Sequence, residues 1–245
     1  MFFHTLCFTG SMAKGNNRSM ITLSKRLATV ASLVPPCEIA ADVGTDHAYL
    51  ASWLLQSGVT QHMFATDINA GPLVRAKQTA LEQNLSQQMD FYLCDGLRFP
   101  GAETVQTVVI AGMGGETMIS ILQAAPWSWT DTQLILQPQS KQQDLFDWLR
   151  EHQIGIEAAK LCEDAGKLYL ALRASGRADP ERNVVSLLYD AHDLLLPSYL
   201  EQELGKLNRA IAGMDRAARN MESERTALQN QISVLEPYRK VVETW

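Results

Sequence analysis

Three aspartates stand where a nucleotide-type ligand could be held. Asp42 closes the apolar run Ile39-Ala40-Ala41 and opens Asp42-Val43-Gly44-Thr45-Asp46-His47, which leads into the helix-like Tyr49-Leu50-Ala51-Ser52-Trp53-Leu54-Leu55. A strand that ends on an acid, turns through glycine and enters a helix is a shape that cradles nucleotides. Gly44 lets the backbone approach a ligand closely, and a helix start supplies unpaired N–H groups. Only one glycine is present, so the GxGxxG of dinucleotide enzymes is absent. The loop therefore suits a smaller nucleoside-type ligand, of which S-adenosylmethionine is one.

Asp67 ends Phe64-Ala65-Thr66-Asp67-Ile68-Asn69, where one carboxylate can accept both hydroxyls of a ribose. The alternative is an N-cap for the helix that follows Gly71-Pro72. Asp95-Gly96 ends a third apolar run, where an acid can accept from an adenine amine; the alternative is a plain turn. Read together at consecutive strand ends, the three acids point to one shared site. Ala111-Gly112-Met113-Gly114-Gly115 ends a fourth run, and its glycines leave bare backbone facing the crevice. In methyltransferases acting on the amines of bases, this position carries the strip that holds the target base. A glycine-rich phosphate loop is the rival, but no Lys-Ser or Lys-Thr follows. His47 stands alone and reads as a packing or hydrogen-bonding residue. No Ser/His/Asp or Cys/His set and no metal cluster is visible, and Gln137-Pro138, ending a fifth run, is read only as a turn.

The elements that must position these residues alternate. Candidate strands are Ile39–Val43, His62–Asp67, Asp90–Cys94, Thr107–Ala111, Gln133–Gln137, Ile154–Lys160 and Lys167–Ala174. Candidate helices are Thr22–Leu33, Ala48–Gln56, Ala70–Asn84, Glu116–Ala124 and Gln142–Glu151. Alternation of this kind predicts an α/β fold, a mostly parallel sheet covered on both faces, with ligands outside the carboxyl ends of the strands. The last two strands are joined by Leu161–Gly166, too short for a helix, so they should form an antiparallel pair. Five parallel strands closed by such a hairpin are the usual class I methyltransferase (Rossmann-like) arrangement. After the loop Ser175–Pro180, Leu200, Leu204, Leu207, Ile211, Met214, Ala218, Met221, Arg225, Leu228, Ile232 and Leu235 follow a 4,3 spacing without a slip. This is a coiled-coil heptad pattern, served equally by an internal hairpin or a dimer. The chain thus divides into a disordered extension over 1–19, with Met20 expected to begin the folded protein, a ligand-binding domain over 20–176 and a helical coiled-coil domain over 177–245.

Composition bounds the function. At 245 residues, 46% hydrophobic and 20% charged, the chain is an ordinary globular protein, and no run of eighteen apolar residues could span a membrane. Cys7, Cys37, Cys94 and Cys162 are far apart, without metal-ligand spacing, and read as free thiols in a reducing cytoplasm. The net charge of −6 disfavours an obvious nucleic-acid binder, and residues 20–175 hold 10 basic against 16 acidic side chains. Local cations exist at Lys25, Arg26, Arg173 and Arg177, with Lys14, Arg18 and Arg182 beside them in sequence.

Five ordered motifs carry a resemblance: DVGTDHAYLA at 42–51, TDINAGPLVRA at 66–76, DGL at 95–97, AGMGG at 111–115 and LILQP at 134–138. With Leu23-Ser24-Lys25-Arg26-Leu27 and the helical tail, the chain resembles the bacterial tRNA (adenine-22 N1)-methyltransferases (TrmK) over residues 20–245. The resemblance implies a class I methyltransferase fold with a helical arm, S-adenosylmethionine as donor, tRNA as acceptor, no metal, and a monomer or weak dimer. It puts Asp42, Gly44, Thr45, Asp46 and His47 in the cofactor loop. It gives Asp67 the ribose hydroxyls and Asp95 the adenine amine, with Ile68 and Gly96 also binding the cofactor, and it gives Gly112, Met113, Gly114 and Gly115 the target base. Lys25, Arg26, Arg173 and Arg177 are then the expected RNA contacts. The family tail turns at a Pro or Gly, whereas these heptads run through 219–223 without one. A methyltransferase of the same fold acting on another RNA site or a small molecule is the first alternative. A non-catalytic nucleic-acid-binding protein that kept the fold is the second.

Overall fold

The computed structural model describes residues 19–125, 127–214 and 222–243. Seven strands form one sheet: β1 (Cys37–Val43), β2 (Thr60–Asp67), β3 (Met89–Leu93), β4 (Thr107–Gly114), β5 (Gln133–Ser140), β6 (Gly155–Asp164) and β7 (Lys167–Ser175). Their order is β3-β2-β1-β4-β5-β7-β6, parallel except for β7, which runs antiparallel between β5 and β6. The chain moves outward from β1 to β3 and then returns to the other side of β1 with β4. The crevice between β1 and β4 is therefore the switch point at which sheets of this kind bind ligands.

Side-chain alternation explains the two covered faces. Ala40, Val109, Ile135 and Ala171 point to one core, shared with Val30 of α1 (Lys25–Ala31), Leu50 and Leu54 of α2 (Tyr49–Gln56), and Ala76 and Ala80 of α3 (Ala70–Glu82). Their neighbours Ala41, Val108, Ile110, Leu134, Leu136 and Leu172 point to the other. There they meet Met118 and Leu122 of α4 (Gly115–Gln123) and Leu145 and Leu149 of α5 (Gln142–Glu151).

The expected elements are present with shifted ends. β4 does not stop at Ala111 but continues through the glycines, because a bulge between Ala111 and Met113 keeps it paired with β5 as far as Ser140. The hairpin strands also run longer, joined by the two-residue turn Ala165-Gly166, whose positive φ angles match the strand twist. The heptads resolve into α7 (Leu196–Met214) and α8 (Glu222–Val242), which pack against each other within the chain. The seam residues Ala218 and Met221 lie outside the described residues, as does the expectation for residues 1–18. The base of this arm is not separate from the sheet domain: Leu187 and Leu188 of α6 (Val184–Asp190), Leu196, Tyr199, Leu200 and Val242 belong to the same core as Leu134 and Leu172.

Candidate active site

At the end of β1, Asp42 is buried, and burial pushes its carboxyl up to about 6. The Thr45 hydroxyl beside it offsets part of that rise and the Asp67 charge adds to it. The same Thr45 hydroxyl is itself buried, with the Asp42 carboxylate as its neighbour. Gly44 sits at φ +78, and an added Cβ would stand 2.1 Å from the terminal methyl of Met113. The N–H groups of Gly44 and Thr45 do not face the crevice as donors: both bond the carbonyl of Thr66, at 2.8 and 2.9 Å. The helix starts later than expected, at Tyr49, after Ala48 in the left-handed region. Asp46 is exposed and pairs with Arg75 of α3, with His47 Nε2 3.5 Å away; the His47 ring stacks on Tyr49. These two residues brace the rim of the loop.

At the end of β2, one Asp67 oxygen accepts from the backbone N–H of Asn69 at 2.8 Å, and the other has no hydrogen-bond partner among the described residues. The cap of α3 is Asn69, which makes no side-chain capping bond, so the capping alternative for Asp67 is not the one taken. Ile68 beside it is 68% exposed, a large apolar face left uncovered at the strand end. The Cys94-Asp95-Gly96 turn follows β3, with Asp95 exposed and Arg98 Nη1 3.7 Å from its carboxylate. Thr66 ties these loops together. Its buried hydroxyl donates to the Gly96 carbonyl at 3.0 Å, while its carbonyl receives Gly44 and Thr45. Sequence reading passes over Thr66 because a β-branched residue in a strand looks like core; its one signal is a hydroxyl next to a strand-ending acid.

The glycine strip at the end of β4 proves to be three different positions. Gly112 takes the bulge at φ +81, and a Cβ there would come within 3.4 Å of Arg26 Nη1. At Gly114 a Cβ would meet the Ser140 hydroxyl at 3.0 Å. Gly115 begins α4 jammed against the chain after β5, where a Cβ would lie 2.1 Å from the Lys141 carbonyl oxygen. Gly115 is thus required by backbone packing, and of the strip it is Gly112 and Met113 that border the crevice.

The expected cations do not share a face. Arg26 reaches the strip: its Nη1 donates to Gln137 Oε1 at 2.9 Å, and its guanidinium lies over the Tyr169 ring. Lys25 precedes it at the start of α1. Arg173 and Arg177 pair with Glu157 and Asp131. The antiparallel register sets both toward the amino-terminal end of β5, away from the strip. Gln137, read from sequence as a turn residue, is fully buried within β5 and orients Arg26. An amide in the otherwise apolar Leu134–Leu136 run is the available signal, since a buried amide requires partners. Among the described residues no group of His, Cys, Asp and Glu is arranged to hold a metal, and no helix is long and apolar enough to cross a membrane.

A methyltransferase-domain family model matches residues 23–172. The tRNA (adenine(22)-N(1))-methyltransferase of Bacillus subtilis is 32% identical over 169 residues, covering 68% of this chain and 71% of that protein. The crystal structure of the B. subtilis M1A22 tRNA methyltransferase TrmK superimposes with a TM-score of 0.76 at 25% identity, covering 89% of this chain and 99% of that one. A Streptococcus pneumoniae protein in complex with S-adenosyl-L-methionine matches with a TM-score of 0.73 at 28% identity, over 89% and 100% of the two chains. With these likenesses spanning the sheet and the arm alike, the chain belongs to the bacterial tRNA (adenine-22 N1)-methyltransferase family.

Proposed function

We propose that this chain transfers a methyl group from S-adenosylmethionine to N1 of an adenine in tRNA, adenine 22 as in its named relative. The observation that carries the reading is the set of three acids, Asp42, Asp67 and Asp95, ending adjacent parallel strands around the β1/β4 crevice. The residues suit the donor. Asp67 has an unused oxygen and Ile68 an uncovered apolar surface, and beside Gly44 only the Met113 side chain fills the space. Met113 rests on Gly44, but its unbranched side chain is easily turned aside. Asp67 would take the ribose hydroxyls, Asp95 and Gly96 the adenine edge, Ile68 its face, and the loop from Asp42 to His47 the amino-acid end.

Bound there, S-adenosylmethionine supplies an electrophilic methyl on a positively charged sulfur. Adenine N1 carries a free lone pair, so it attacks without first losing a proton. The protein's work is then to orient the base in line and exclude water, not to move protons. This accounts for a site without a catalytic histidine or cysteine. N1 is paired or stacked inside folded tRNA, so the base must turn outward onto Gly112 and Met113. Residues 20–176 act as the methyltransferase domain and 177–245 as an arm for the large substrate. Because α7 and α8 pack against each other within the chain, it works as a monomer, in the cytoplasm where tRNA is modified. Of the four cations, Arg26 reaches the strip, with Lys25 next to it in sequence; Arg173 and Arg177 are engaged in ion pairs elsewhere.

The test is methyl transfer from labelled S-adenosylmethionine to unmodified bulk tRNA, followed by nucleoside digestion and mass identification. The expected product is 1-methyladenosine, lost in Asp67→Ala. Cofactor binding without transfer to any tRNA would leave the donor standing and remove the acceptor.

A further inference from the structure

Arg26 makes no close ion pair through its guanidinium among the described residues. Arg75, Arg98, Arg150, Arg173, Arg177 and Arg182 each pair with a carboxylate. Arg26 is half-buried, and among the described residues no carboxylate lies within ion-pair distance of its guanidinium. Asp164 is engaged mainly through backbone and hydroxyl: its carboxylate accepts from the Arg26 backbone N–H at 3.0 Å and from the Ser24 hydroxyl, and these, with a smaller contribution from the Arg26 and Lys25 charges, hold it below the usual carboxylate range. The guanidinium is nonetheless fixed. Gln137 Oε1 takes one of its five N–H donors, and the Tyr169 ring, 5.8 Å away, supports its face. With Asp164 acting only from beyond ion-pair distance, the guanidinium keeps N–H donors that no carboxylate takes. An anion arriving at this spot would meet oriented, unspent donors.

We infer that Arg26, held by Gln137 and Tyr169, is the binding residue for the phosphate of the nucleotide whose base is methylated. The inference rests on the tRNA reading above and names one contact within it. The Arg26 Nη1 lies 3.4 Å from where a Cβ on Gly112 would stand, which puts the guanidinium at the edge of the strip proposed to hold the base. Phosphate is the better match than the base. Methylation at N1 leaves the ring positively charged, which a fixed guanidinium against the ring would oppose, whereas the phosphate is anionic before and after. A cleft of about 310 Å³ opens alongside, lined by Gln139, Lys167 and Tyr169 and by Lys206 paired with Glu203, and gives the flanking backbone room to continue.

The experiment measures binding of an unmodified tRNA transcript over a salt series, with kcat, KM and S-adenosylmethionine affinity, for the wild type, Arg26→Ala, Arg26→Lys and the control Arg150→Ala. Arg26→Ala should weaken tRNA binding about ten-fold, the scale of one charge-assisted hydrogen-bonded contact. It should also reduce the slope of log K against log salt by about 1. Arg26→Lys should keep the slope and recover part of the affinity. Cofactor affinity should stay at the wild-type value in both variants, and Arg150→Ala should match the wild type throughout. An unchanged slope in Arg26→Ala, or a loss of cofactor affinity in both Arg26 variants, overturns the inference while a methylating wild type keeps the function. A wild type that neither binds nor methylates tRNA removes the function itself.

Discussion

Replacing Asp42 by asparagine separates what the buried acid costs the fold from what it gives the ligand. Its carboxyl stands at about 6 in the folded protein against an ordinary 3.8, mainly through burial. At about 1.4 kcal/mol per pH unit, that difference amounts to about 3 kcal/mol. The folded state holds the proton more tightly than the unfolded one. The ionised carboxylate therefore opposes folding above pH 6, and the penalty fades as pH falls toward 3.8. The asparagine side chain carries no charge and has nearly the same shape. In the absence of cofactor, Asp42→Asn should stabilise the protein by up to about 3 kcal/mol at pH 8 and by about half that at pH 5. For a chain of this size, the larger gain is a rise in melting temperature of about 6–12 °C. With a cationic cofactor the sign reverses. Ionised Asp42 favours the ligand, so wild-type affinity should strengthen as pH rises through 6, while Asp42→Asn should bind weakly and without that pH dependence. Thermal melts from pH 5 to 8, with and without S-adenosylmethionine, read both effects. An equal melting difference at pH 5 and pH 8 would refute the reasoning, because burial would then not be acting through the charge.

Thr66→Val keeps the shape of a buried strand residue but removes the donor to the Gly96 carbonyl, and should cost about 1–3 kcal/mol while weakening cofactor binding; calorimetry on the folded variant checks both. Gly44→Ala forces a side chain into φ +78 and onto Met113, so it should lose about 1–2 kcal/mol of stability and a larger share of activity, seen as a raised KM for the cofactor. In Gly115→Ala the added Cβ meets backbone, not a side chain that can turn, and about 1–3 kcal/mol should be lost in urea unfolding. Met113→Ala should lower turnover with unmodified tRNA, and an unchanged kcat would remove Met113 from the base-holding strip.

Periodicity carries the sheet because each strand alternates between two apolar cores, and the acids at its ends are visible as breaks in apolar runs. What the sequence conceals is of a different kind. Thr66 and Gln137 lie inside strands, where their neighbours are apolar, so their polar atoms look incidental until the partners appear from 30 and 111 residues away. The glycine strip misleads for a related reason. Its residues are adjacent in sequence, but one forms a bulge and another abuts the chain after β5, and spacing alone does not separate these demands. The arm's continuous heptads hide its division into two helices because both halves of an intramolecular pair present the same seam.

Strand order also answers how a chain of net charge −6 can take a polyanion. Asp42, Asp67 and Asp95 end β1, β2 and β3, all on one side of the switch point. Arg26, beside the ends of β4 and β5, and Lys167, opening β7, stand on the other. On the proposed function, the three acids stand where a cationic, nucleoside-type cofactor would lie, and Arg26 and Lys167 stand on the side left for RNA. Overall charge averages two halves of one crevice that have opposite tasks. For such a protein the salt dependence of tRNA binding should follow the few cations around β4, β5 and the arm, and should be nearly indifferent to the acids across the crevice. Neutralising Asp95 by Asp95→Asn should accordingly alter cofactor affinity and leave the salt slope of tRNA binding as it was; a change in that slope would show that the two halves are not electrically separate.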